Sequence, residues 1–150
     1  MDRTKPLDAV HGHRDVIPFF AYGTLRPGGS NYSKLSSLIE PDAQDAMVRG
    51  RMYESTAGAW PLLELRDRGD EWVHGTLFTA VPSPPLWELM GMLELEWGYD
   101  LVWHAIHTDE ATPSIGRALL CSWPWPRDRG VQIPGGDWLE WAPKRTRAPS

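Results

Sequence analysis

The sequence predicts a single α+β domain built from short strands with few helices. Breaks recur at short intervals, at "RPGGSN", "STAGAWP", "RDRGDE", "VPSPP", "DEATPS", "PWPRDRG" and "PGGD". Such punctuation between short apolar runs is the pattern of a strand-rich domain. The length of 150 residues suits one domain, which at this size buries roughly two-thirds of the surface its unfolded chain exposes. No repeat, heptad or internal linker divides the chain. Its first fifteen residues and its last seven, "KRTRAPS", are polar and without periodicity. Residues 1–15 and 144–150 are therefore expected to be flexible tails on a domain spanning 16–143.

The elements follow in order. The apolar run Ile17–Tyr22 reads as a strand that stops at Gly23, and a short helix opens at Asn31 or Ser33, past the glycine-rich turn. Ala46–Tyr53 is the second strand and Trp72–Val81 the third. The third places Val73, Gly75, Leu77 and Thr79 on one face and His74, Thr76 and Phe78 on the other, so it is covered on both sides or closed into a barrel. Pro84–Leu93 is the clearest helix. Ser83 is a good N-cap, Pro84 suits the first turn, and Leu86, Leu89, Met90 and Leu93 follow helical spacing. Leu101–Thr108 and Arg117–Trp123 complete the strands.

Charge and chemistry narrow the function. Fifteen Lys and Arg against twenty Asp and Glu give a net charge of -5, which argues against nucleic acid, because a phosphate backbone needs a basic face. A single-stranded nucleic acid lying on a tryptophan-rich barrel would need a basic groove as well. A small molecule is the expected partner. Cys121 is the only cysteine and cannot pair within the chain, and no long apolar run suggests a signal peptide or membrane span, so a cytoplasmic protein is expected. No metal or other cofactor is expected. His11 and His13 lack a third ligand at matching spacing, and His104 and His107, three apart on a strand, face opposite sides. The acids of "ELRDRGDE", Glu64 to Glu71, alternate with arginines as in a solvated loop. Cys121 reads as inert packing, with no neighbouring base to activate it.

The stretch "FFAYGTLRPGGSNYSKL", Phe19–Leu35, is the most informative. A strand that ends through Gly23 into "PGGSN" can direct several backbone amides at one point, because glycine permits close approach, and a following helix start would add to the same field. That arrangement suits an anion or oxyanion; a tight hairpin is the plainer alternative. A phosphate-binding P-loop is excluded, since no Gly-Lys-Ser/Thr follows.

These residues also carry a resemblance. "YGTLRPGG" at Tyr22–Gly29 resembles the signature loop of the gamma-glutamylcyclotransferase-like family. "GRMY" and "GAWPLL" within Gly50–Leu63, "VHGTLF" at Val73–Phe78 and "IPGGDW" at Ile133–Trp138 resemble further family segments in the family's order. The resemblance implies a small mixed β-barrel flanked by short helices. It also implies an activity: the alpha-amine of a gamma-glutamyl compound attacks its own gamma-carbonyl, closing 5-oxoproline and releasing an amine. Such a site must fold the substrate, move a proton from the ammonium to the leaving amine and hold the oxyanion. One carboxylate can make both proton transfers. The family register in "MLELEWGYD" selects Glu96 as that group, while helical pitch alone leaves Glu94 as a rival. Tyr22, Gly23, Thr24, Leu25 and Trp123 are the expected substrate-binding residues.

Departures from the family pattern cluster around this pocket. Leu93 stands where an Asp is usual and Trp97 where a Gly is; Leu101 replaces an arginine and Cys121 a tyrosine. Trp60, Trp97, Trp123 and Trp138 suggest a pocket larger and more apolar than glutathione needs, which points to a gamma-glutamyl amine. "WPWP" at Trp123–Pro126 reads either as a rigid loop over the barrel mouth or as a packed rim. Exposed Trp at a barrel edge would serve a homodimer interface equally well. The competing reading of the whole is a non-catalytic module that binds a small carboxylate or gamma-glutamyl compound.

Overall fold

The structure is a computed structural model, and it describes residues 16–56, 60–124 and 126–141. The two expected tails, residues 1–15 and 144–150, lie outside these, as do His11, His13 and Trp125. Six strands form one curled sheet: β1 (Ile17–Ala21), β2 (Gln44–Glu54), β3 (Pro61–Leu65), β4 (Trp72–Ala80), β5 (Asp100–Ile106) and β6 (Gly116–Ser122). Their spatial order is β3-β2-β4-β1-β6-β5. β1 runs parallel to β6, and the other neighbours are antiparallel. The sheet curls until its distant edges meet. Met47 and His107 exchange backbone hydrogen bonds of 2.8 and 2.9 Å, and the Trp123 amide donates to the Leu63 carbonyl at 2.7 Å. The result is a mixed half-barrel with a few short helices, as the family resemblance implies.

Each expected strand forms, with ends shifted by one or two residues. β1 lies between β4 and β6 and is buried along almost its whole length, the pattern of a strand covered on both faces. β4 likewise buries Val73 and Gly75 in one phase and Thr76, Phe78 and Ala80 in the other. β3 was not expected. It is a five-residue edge strand paired with β2 from Gly50↔Leu65 to Glu54↔Pro61, and proline is tolerated at such an edge or at a strand's first residue. Its formation corrects the reading of Glu64 as part of a solvated loop. The Glu64 side chain is mostly buried and accepts a hydrogen bond from Arg129 at 3.0 Å.

Two helices are short. α1 (Tyr32–Leu35) starts after Asn31 and passes into a 3-10 turn, Ser36–Leu38. α2 (Pro84–Gly91) starts as its sequence implies: Ser83 is extended and its hydroxyl accepts from the Leu86 amide, while Leu86, Leu89 and Met90 are buried. It then widens into a π-helical turn, Met92–Glu96, closed by the Trp97 amide donating to the Met92 carbonyl five residues back. Phe19, Phe20, Phe78, Leu63, Leu86, Leu93 and Leu119 form the heart of the core. Among the described residues, no helix is long and apolar enough to cross a membrane.

Candidate functional site

The glycine loop leaves β1 at the barrel mouth and turns at once. The Arg26 amide donates to the Gly23 carbonyl, Gly29 to Arg26 and Asn31 to Thr24. The Asn31 side-chain amide also donates to the Thr24 hydroxyl at 2.9 Å. These bonds fix the loop while leaving its first three amides unused. Among the described residues, the N–H groups of Gly23, Thr24 and Leu25 have no acceptor. All three residues line a cavity of about 40 Å³.

The loop is held from two sides. A side chain at Gly23 would place its Cβ 2.6 Å from Pro61 Cγ, so only glycine lets the loop lie against the start of β3. Arg26 reaches across to Asp137, Nη1 to Oδ1 at 3.0 Å, and its side chain is nearly buried. That segment is pinned in turn at Gly136, which has φ +64 and where a Cβ would meet the Trp72 carbonyl at 2.1 Å. The Gly136 carbonyl accepts from the His74 amide. Thus "YGTLR", "WP", "VHG" and "GGDW", far apart in sequence, brace one another.

The remaining walls are aromatic and uncharged. Tyr22, Tyr99 and Cys121 form one side, Leu93 and Trp97 another, and Trp60 and Pro61 a third. The Tyr22 hydroxyl donates to the Cys121 carbonyl and the Tyr99 hydroxyl to the Pro61 carbonyl, each at 2.7 Å. With its proton so engaged, the Tyr99 phenol oxygen keeps lone pairs to accept hydrogen bonds, whereas the Tyr22 oxygen is already approached by the Leu63 backbone amide. Burial pushes the pKa of both phenols up, with added repulsion from Tyr99 and Cys121 at Tyr22 and from Cys121 at Tyr99. The Cys121 thiol is pushed up by burial first and then by the negative charge of Glu94. At neutral pH all three are therefore protonated, and Cys121 is no nucleophile.

Matches to known proteins accord with this geometry. The family model described as gamma-glutamyl cyclotransferase, AIG2-like, matches residues 19–140. The chain belongs to this family. Its fold is shared by three solved structures that are similar to it at low identity. An uncharacterised protein of Pyrococcus horikoshii is 20% identical with a TM-score of 0.62, over 89% of this chain and 99% of the other. YkqA of Bacillus subtilis is 21% identical with a TM-score of 0.64, over 90% of this chain and 44% of the other. An AIG2-like protein of Mus musculus is 14% identical with a TM-score of 0.57, over 72% of this chain and 77% of the other. No curated protein matches the chain in sequence.

Within this AIG2-like domain the expected site residues divide. Tyr22, Gly23, Thr24 and Leu25 come together on one wall. Trp123 stands behind that wall, its ring edge-on to Tyr99 with centroids 5.6 Å apart and its indole N–H donating to the Asp128 carbonyl. Trp138 is buried in the core. Glu96 lies at the end of the π-helical turn with an exposed side chain, and neither it nor Glu94 is among the cavity walls. Of the two, Glu94 is the one whose charge is felt at Cys121. Sequence reasoning missed Tyr99 and Pro61 as walls, although "GAWPLL" and the aromatic after "EWG" were the signals for them.

A second, larger cleft of about 600 Å³ lies over Gly50–Met52, Asp70–Trp72 and Gln132–Gly136. Its polar groups largely engage one another: Glu71 pairs with Arg51 and accepts from Gln132 at 2.9 Å. It contains none of the unused loop amides. Among the described residues, no three His, Cys, Asp or Glu side chains converge as a metal site.

Proposed function

We propose that this AIG2-like domain is a gamma-glutamyl cyclotransferase that releases 5-oxoproline from a gamma-glutamyl amine or peptide. The observation that carries the reading is the set of three unused amides, Gly23 to Leu25, beside an otherwise uncharged cavity. Fixed amides in a water-poor site are suited to hold an oxyanion, a role worth a few kcal/mol per donor, roughly 3. The phenol oxygen of Tyr99 is the acceptor for the substrate's alpha-amine. The amine nitrogen forms a bond to the gamma-carbon, and the gamma-carbon to amide-nitrogen bond breaks. The ammonium loses two protons in becoming the lactam N–H; a carboxylate takes each in turn and passes it to the leaving nitrogen, which departs as an ammonium, so that water takes no part.

The carboxylate comes from the π-helical turn. Family register favours Glu96, with Glu94 as the rival on the same turn, and we take Glu96 as the base on that ground. Release of 5-oxoproline by the wild type, Glu94→Gln and Glu96→Gln, each checked for folding by circular dichroism, separates the two. Loss of roughly 100-fold or more in kcat on removing a general base is expected for Glu96→Gln, with Glu94→Gln close to wild type. The reverse pattern would assign the base to Glu94. One observation supports the non-catalytic reading: neither carboxylate lines the cavity as it stands. That reading requires binding of a gamma-glutamyl compound with no 5-oxoproline from any of the three proteins.

A further inference from the structure

We infer that the group joined to the gamma-glutamyl unit is an apolar, ring-bearing amine without a carboxylate; this rests on the cyclotransferase reading. The cavity of about 40 Å³ has room for only a few waters, so a substrate enters by displacing a wall. Tyr22 and Tyr99 are buried and tied by hydrogen bonds, and Pro61 is held in β3. Trp60 and Trp97 are the aromatic walls that reach solvent: Trp60 is 37% exposed and Trp97 half-buried. A residue that both lines a cavity and reaches solvent stands at its mouth. The leaving group therefore emerges between two indoles.

Charge decides what that group is. Among the described residues, no Lys, Arg or His lines the cavity. The loop amides are committed to the glutamyl end, which brings its own carboxylate and the developing oxyanion. A gamma-glutamyl peptide would carry a second carboxylate on the leaving side, set between indoles with no cation among the described residues, where partial loss of hydration disfavours an unpaired charge. The nearby guanidinium of Arg127 does not supply one. It stacks 3.8 Å over the Trp123 ring, behind Tyr99, and its Nη1 lies 3.9 Å from Asp100. An aromatic amine meets neither penalty and gains ring contacts with the indoles.

The test compares kcat/KM for 5-oxoproline release from gamma-glutamyl phenethylamide, gamma-glutamyl phenylalanine and gamma-glutamyl ethylamide. The first two differ by one carboxylate, and the first and third by the ring. The expected result is a preference for the phenethylamide of roughly tenfold over each. In Trp60→Ala the preference over the ethylamide falls toward one, and Trp60→Phe restores it. Equal or faster turnover of the phenylalanine compound overturns the inference. If none of the three yields 5-oxoproline, the cyclotransferase reading fails on its own. Calorimetric binding to the wild type then judges the leaving-group inference: tenfold tighter binding of the phenethylamide supports it, and equal or weaker binding overturns it.

Discussion

Gly23 joins the chemistry of the loop to the packing of the barrel. Its missing side chain admits Pro61 Cγ to within 2.6 Å of where a Cβ would stand, and that contact lets the loop lie against the start of β3. Gly23→Ala should force the loop and β3 apart, with an overpacking cost of about 1–3 kcal/mol. Urea unfolding measures the cost directly, and an unchanged midpoint would mean that the loop does not rest on Pro61. This requirement was legible in "YGTL" and "WP" as separate motifs, but their contact was not, because it depends on β3 pairing. The choice between Glu94 and Glu96 was likewise hidden. A 3.6-residue projection places them on opposite shoulders of one stripe, whereas the turn that carries them is π-helical. Leu93 is 1% exposed and Leu95 86% exposed, as their two-residue offset on a helical projection implies.

At the scale of elements, α2 is the support for the turn that carries both carboxylates. Its start is set locally: the Ser83 hydroxyl accepts from Leu86 N at 3.3 Å, satisfying one of the orphan amides of the first turn. Ser83→Ala should lower stability by about 1 kcal/mol, read as a shifted urea midpoint with an unchanged slope; a changed slope would indicate a different unfolding transition. This helix was readable because cap, proline and apolar spacing agree. β3 was not, because "PLLEL" begins with proline, is rich in leucine rather than β-branched residues and does not alternate. What makes it a strand is its partner: β2 offers a continuous ladder from Gly50 to Glu54. Missing β3 also misplaced Glu64, which pairs with Arg66 and Arg129 and accepts from the Tyr53 hydroxyl.

For the whole molecule, the curled sheet brings four sequence motifs to one mouth and encloses three weak acids there. Tyr22, Tyr99 and Cys121 all have raised pKa values in the fold. In the unfolded chain the thiol loses its proton near about 8.5 and the phenols near about 10. Above those values the unfolded state binds fewer protons than the native one, so stability falls as pH rises. These three groups should leave the thermal midpoint level from pH 6 to about 8 and lower it progressively above about 9. A midpoint that rises with alkali would contradict their burial. The α+β class was readable from turn spacing and motif order. The pocket's true walls were not, because the tryptophans have equal standing in sequence, and only the sheet's closure sends Trp60 and Trp97 to the mouth and Trp123 and Trp138 away from it. The central claim is that the substrate's own amine, not water, attacks. The most direct measurement is turnover of a gamma-glutamyl amide in ¹⁸O-water with mass analysis of the products. The account predicts 5-oxoproline without the heavy isotope, whereas free glutamate carrying ¹⁸O would contradict it.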